Sequence, residues 1–282
     1  ISFDMLCAKN LKNNMDMGLK GRVALVTGST RGLGKAIATA LAKEGADIII
    51  HGRNITTVAD TMFDLHHDHR VATYACVTDA TNSQAITNLF KSTTFSFSSQ
   101  LDILVNNVGN IERFGRFEDL EDEDWFRMYE LGCMSAIRFI RAALPFLKKS
   151  YQARIINISS VSARQPSGLN PHYGLAKAGL LNLTKNLAQD FGRYGITVNS
   201  ICPSTLAGGG WHQNIVDRAK RDGIESYEAE KIMRREECNK SPLGKMGELD
   251  DVANLVCYLA SDKARFLTGH CYNVDGGITR AV

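Results

Sequence analysis

The chain has 282 residues, 44% of them hydrophobic and 22% charged, with a formal net charge of +3. These proportions allow one large α/β domain with a sizeable core. So small a charge makes no case for nucleic acid or a membrane surface as a partner, and no apolar run reaches the length of a membrane-spanning helix.

Residues 1–17 contain Lys9 and Lys12 but no long apolar stretch, so they make a poor secretory signal. They are taken as an N-terminal extension, with the fold beginning at Gly18. From Gly21 onward, short β-branched runs alternate with helical spacings. RVALVTG reads as the first strand, followed by a helix over 32–45 with Ile37, Ala40 and Leu41 on one face. ADIIIHG, VATYACV, LDILVNN, ARIINIS, ITVNSIC and CYNVD read as six further strands. Helices are predicted over 84–91, 122–147, 173–194 and 249–259. Strands alternating with helices imply right-handed βαβ units, hence a parallel seven-stranded sheet covered on both faces. The one long irregular stretch, 203–248, carries a glycine run and then a charged, helical part. It reads as a mobile flap on a single domain spanning 18–282.

The segment VALVTGSTRGLGKAIA places Gly28, Gly32 and Gly34 between the first strand and its helix. Such a turn lets backbone approach a pyrophosphate, and the helix N-terminus adds unpaired N–H groups and a partial positive charge. The second strand ends in IIIHGRN. A free ribose 2′-hydroxyl is usually met there by an acid, and a 2′-phosphate by a cation. Arg53 stands at that strand end and Arg31 in the glycine loop, which predicts NADP(H) in preference to NAD(H).

Tyr173 and Lys177 lie four apart in HYGLAKAGL and share a helix face. A phenol has a reference pKa of about 10. A neighbouring ammonium is expected to lower it, letting the pair move a proton to or from an alcohol oxygen. Ser160 ends the fifth strand, where a parallel sheet presents its ligand edge.

TGSTRGLG, NNVG at 106–109, ISSVS, YGLAK and the terminal TGHCYNVDGG occur in the order and spacing of the short-chain dehydrogenase/reductase family, which the chain resembles from about Gly21 to Gly277. Among its members the sequence somewhat resembles bacterial 3-oxoacyl-[acyl-carrier-protein] reductases and sugar dehydrogenases. The resemblance implies a three-layer, doubly wound Rossmann-like domain, a nicotinamide cofactor and a homotetramer or homodimer. It casts Ser160 as the group polarising the substrate oxygen, Tyr173 as the acid/base, and Lys177 as the residue binding the nicotinamide ribose. Gly28, Thr30, Arg31, Gly32, Leu33, Gly34, Arg53, Asn107, Gly109, Tyr173, Lys177 and Pro203 become the cofactor-binding set, with Thr27 beside them. Asn107 would help hold the cofactor strand. CYNVDGG and the apolar helix before it are expected to pack against a second copy.

The sequence departs from the family in four places. Gly132 occupies the position of the family's catalytic-site Asn, whose main chain breaks a helix and links Lys177 to solvent. Cys76 replaces an acid that touches the adenine. Ser204 follows Pro203 in place of glycine, and Gly208 stands where a Thr often holds the carboxamide.

Seven widely spaced cysteines with no CxxC read as buried thiols of a reducing, cytoplasmic compartment. His66, His67, Asp68 and His69 read as a solvated loop, because adjacent residues rarely converge on one ion, and no metal is expected. Lys231, Arg234 and Arg235 read as a solvated helix face. Arg164 is a candidate for a substrate carboxylate, and Trp211, His212, Phe114 and Tyr129 for pocket or core. The leading function is hydride transfer between NADP(H) and a small or acyl-linked carbonyl. Reduction of a 3-oxoacyl thioester and a catalytically weak NADP(H) sensor are the alternatives.

Overall fold

The computed structural model describes residues 16–91 and 100–280. The extension read at residues 1–17 therefore lies almost wholly outside the described residues, as does Cys7. The strands are β1 (Val23–Val26), β2 (Asp47–Gly52), β3 (Thr73–Val77), β4 (Ile103–Asn106), β5 (Arg154–Ile158), β6 (Thr197–Pro203), β7 (Leu206–Ala207), β8 (Gly247–Glu248) and β9 (Cys271–Val274). Seven of them form one parallel sheet in the order β3-β2-β1-β4-β5-β6-β9. The helices are α1 (Gly32–Lys43), α2 (Ile55–His69), α3 (Ser83–Lys91), α4 (Asp122–Tyr129), α5 (Ser135–Leu147), α6 (Pro171–Phe191), α7 (Trp211–Asp222), α8 (Ser226–Lys240) and α9 (Leu249–Ala260).

The strands are apolar at successive positions because both sheet faces are covered. Alternate side chains point to opposite faces. Ala24, Val26, Ile48, Ile50, Ile103 and Val105 pack with Ile37 and Leu41 of α1 and Val252 and Val256 of α9. Val23, Leu25, Ile49, Leu104 and Ile155 pack with Phe139 and Leu147 of α5 and Ala188 of α6. At about 25 cal/mol per Å² of buried apolar area, these two layers are the main source of cohesion.

Three sequence-based expectations change. The 55–69 stretch is a helix, so His66, His67 and His69 lie in its last turns, not in a loop; Asn54 caps it by accepting from the amides of Thr56 (2.8 Å) and Thr57 (3.2 Å). The single helix expected over 122–147 is broken by a π-turn at Glu130–Met134. The 203–248 segment contains two helices, α7 and α8, around a small core of Trp211, Ile215, Ala219, Ala229 and Met246. Its two ends pair with each other in the short β7–β8 ladder. Among the described residues, no helix is long and apolar enough to cross a membrane.

Candidate active site

Parallel strands deliver all their C-terminal ends to one edge, and loops leaving adjacent strands meet there. After β1, Thr27 donates its amide to the Val105 carbonyl (2.9 Å). Its hydroxyl accepts from the amides of Asn107 (2.9 Å) and Val108 (3.2 Å) beyond β4. The Asn107 carboxamide donates to the Thr27 carbonyl (2.9 Å). Thr27 and Asn107 thereby lock the glycine turn to β4.

That turn is as tight as its glycines allow. A Cβ on Gly34 would lie 2.2 Å from the Gly28 carbonyl oxygen, so a side chain is excluded there. Arg31 is the N-cap of α1 in extended conformation. It makes no side-chain capping bond, and the first turn carries no acid. A helix N-terminus without a side-chain cap favours an anion, so these residues fit a dinucleotide pyrophosphate. Thr30 packs at the end of β2, where its methyl would meet a Cβ on Gly52 at 2.8 Å. Leu33 packs against the α1–α9 core. Gly209 of the flap lies over the turn, 3.0 Å from where a Cβ on Gly32 would stand. Pro203 ends β6 opposite Val274.

Arg31 and Arg53 are both exposed. Arg53 is close enough to Asp79 and Glu112 to help lower both carboxyls. Hydrogen bonds from Thr81 are the leading cause for Asp79, and the bond from Arg127 is the leading cause for Glu112.

Sequence reasoning passed over His51 in the same IIIHGRN run. Its ring is 2% exposed. Nδ1 accepts from the Gly28 amide (2.8 Å), and Nε2 faces the Thr78 carbonyl (3.1 Å). An amide can only donate and a carbonyl can only accept, so Nε2 carries the proton and the ring is neutral. Its amide donates to the Ser29 hydroxyl (3.0 Å), and the Ser29 amide donates back to the His51 carbonyl (3.0 Å). A lone imidazole inside a β-branched run was the available signal. Cys76, beside His51 in the ladder, is fully buried in apolar surroundings.

Ser160, just past β5, caps a short turn by accepting from the Ser162 amide (3.1 Å). Its hydroxyl faces the Tyr173 phenol at the start of α6, closely enough to favour the phenolate. Lys177, one turn further along α6, is 2% exposed. Its Nζ donates to the Ile158 carbonyl (2.9 Å) and stands 5.7 Å from the centre of the Tyr173 ring. A Cβ on Gly109 would lie 2.6 Å from that Nζ and 3.4 Å from the Gly132 Cα, so Gly109, Gly132 and Lys177 meet. Gly132 sits buried in the π-turn.

The electrostatics differ from the expectation in one respect. Burial pushes the Tyr173 phenol up, opposed by the Ser160 hydroxyl, in place of the lowering anticipated from Lys177. Burial pushes Lys177 down to about 8.

Other candidates fall elsewhere. Arg164 donates to the Asn273 carboxamide oxygen (3.2 Å) on β9. Trp211 is buried in the flap core, while Phe114 and Tyr129 are half exposed. The described cysteines are all free. Among the described residues no group of His, Cys, Asp and Glu is arranged to hold a metal ion.

A family model described as enoyl-(acyl carrier protein) reductase matches residues 28–279. An uncharacterized oxidoreductase of Bacillus subtilis (strain 168) is 32% identical over 269 residues, covering 95% of this chain and 100% of that protein. A 3-oxoacyl-[acyl-carrier-protein] reductase of Vibrio cholerae is 32% identical over 262 residues, covering 93% and 99%. The crystal structure of L-sorbose reductase from Gluconobacter frateurii, complexed with NADPH and L-sorbose, superposes with a TM-score of 0.88 at 29% identity, covering 95% and 100%. With a matched family model over nearly the whole chain, and a glycine turn, serine, tyrosine and lysine gathered at one sheet edge, this chain belongs to the short-chain dehydrogenase/reductase family of oxidoreductases.

Proposed function

We propose that the protein is an NADP(H)-dependent oxidoreductase that interconverts a carbonyl and a secondary alcohol on a small or acyl-linked substrate. The observation that carries this reading is the placement of the Ser160 hydroxyl and the Tyr173 phenol together at the sheet edge, beside the buried Lys177. The bound nicotinamide supplies or accepts the hydride. Ser160 holds the substrate oxygen within reach of Tyr173. The Tyr173 hydroxyl gives its proton to that oxygen during reduction and takes it back during oxidation. A phenol raised by burial keeps its proton until an alkoxide forms, which suits the reductive direction. Lys177 fixes the ribose and places a cation beneath the tyrosine. Thr27 and Asn107 hold the glycine turn, and the α1 N-terminus takes the pyrophosphate. Arg31 and Arg53, with no acid at the end of β2, support a 2′-phosphate, as does the NADPH in the L-sorbose reductase structure.

Likeness to the Vibrio cholerae enzyme favours a second reading, a 3-oxoacyl thioester reductase. One assay separates the two. NADPH and NADH absorbance are followed with ketoses, simple ketones, diketones and acetoacetyl thioesters. Faster oxidation of NADPH than of NADH is expected, and NADH preference would refute the cofactor assignment. Tyr173→Phe should abolish turnover while NADPH still binds. Near-parental kcat in that variant would sink the tyrosine's role.

A further inference from the structure

Cys202 of β6 and Cys271 of β9 lie with their sulfurs 3.2 Å apart. Both are free thiols on neighbouring parallel strands. Cys202 is fully buried behind the site, against the Ser159 side chain and the Ser160 backbone, and its charge would act on both Tyr173 and Lys177. Cys271 is half-buried at the sheet's edge, with Arg164 nearby.

We propose that Cys202 and Cys271 form an oxidisable dithiol beneath the Ser160–Tyr173–Lys177 site, which a hydroperoxide converts to a disulfide that lowers turnover. The inference rests on the proposed catalytic role of those three residues. The asymmetry of the pair assigns the roles. The Cys202 thiol is pushed up by its contact with Cys271 and by burial. Cys271 is pushed down by the same contact, with Arg164 adding to it. Cys271, the partly exposed sulfur on the strand that Arg164 touches, is therefore the nucleophile, while Cys202 is fully buried. The Cys271 thiolate attacks one oxygen of hydrogen peroxide, the O–O bond breaks, and the departing hydroxide takes up the proton that Cys271 released and leaves as water, giving a sulfenic acid. The Cys202 sulfur then attacks the Cys271 sulfur and expels hydroxide, which takes the Cys202 proton and leaves as a second water. Two thiols lose two electrons and the peroxide gains them.

The register shows what bond formation would disturb. Cys271 pairs with Ser200 and Cys202 with Asn273, so the two cysteines are offset by two residues along the strands. Closing the sulfurs to a bond of about 2.0 Å requires β9 to shift along β6. β9 has four residues, is the last strand of the sheet and pairs with β6 alone among the strands, so it can move. The shift draws Cys202 off Ser159 and Ser160, and moves Asn273, the acceptor of Arg164. A bridge made under such strain is readily reduced.

The test is to treat the full-length protein with hydrogen peroxide, block free thiols, and map peptides by mass while measuring kcat before and after dithiothreitol. The expected result is a linked Cys202–Cys271 peptide, a several-fold fall in kcat, and recovery on reduction. Cys271→Ser should keep basal turnover, form no linkage and resist peroxide. Absence of the linked peptide overturns the proposal, as does linkage without loss of turnover or equal inactivation of Cys271→Ser. Should the untreated protein turn over no substrate, the functional reading fails, while the peptide map still decides whether the pair oxidises.

Discussion

His51 shows how one side chain can tie a cofactor turn to the rest of a sheet. Its ring bridges the Gly28 amide and the Thr78 carbonyl, and its edge contact with Phe139 (4.9 Å between ring centres) keeps it dry. Burial, the leading cause, pushes its pKa down to about 4 from an ordinary 6.5. Between those values the unfolded chain takes up a proton that the folded chain refuses. The contribution is complete above pH 6.5 and is lost as pH falls toward 4. The size is of order 3 kcal/mol, at 1.36 kcal/mol per unit. Chemical denaturation at pH 7 and pH 4.5 should show a steeper loss for the parent than for His51→Gln, which has no group to titrate. Equal losses would remove His51 from the account. Protonation would also set an N–H against the Gly28 amide, so the glycine turn should loosen in the same window.

At the level of elements, two departures from the expected pattern have identifiable causes. The 55–69 helix escaped the periodicity reading because only Val58, Thr61 and Leu65 are buried along its 15 residues, and it opens on β-branched ITTV. Its start was legible in Asn54, a capping residue. The π-turn at 130–134 has no periodicity signal, since the apolar face continues through it. Only the resemblance to the family pointed to a break at Gly132. There the structure shows what an Asn side chain would meet. A Cβ at 132 would stand 2.8 Å from the Met128 Cε, the movable end of a flexible side chain, and 3.2 Å from the Ala176 Cβ, so Met128 would have to swing aside for an Asn. Gly132→Asn alone should destabilise by about 1 kcal/mol, the low end of overpacking costs because Met128 can swing aside, read as a lowered Tm. Combining it with Met128→Ala should recover part of that loss and raise kcat above that of Gly132→Asn alone. A Gly132→Asn variant as stable as the parent would show that the turn adapts freely.

At the scale of the whole molecule, the apolar face of α9 is used internally: Val252, Ala253 and Val256 pack into the core shared with α1. A homo-oligomer, which we propose, would therefore draw on the open edge of β9 and on the exposed Phe126, Tyr129 and Leu175 of α4 and α6. Light scattering should return a multiple of 31.0 kDa, and a monomer at micromolar concentration would count against it. The sequence alone determined the alternating βαβ order, the seven parallel strands, the glycine turn, and the candidacy of Ser160, Tyr173 and Lys177. Those features are local, set by period, by glycine spacing and by residues a few positions apart. Only the tertiary structure decided that Ser160 comes up to Tyr173, that burial raises that phenol where a lysine was expected to lower it, and that His51 holds Gly28. It also brought Cys202 against Cys271 across 69 residues of chain. Such contacts join elements distant in sequence, and burial depends on what the rest of the chain lays over a residue, which no local pattern records.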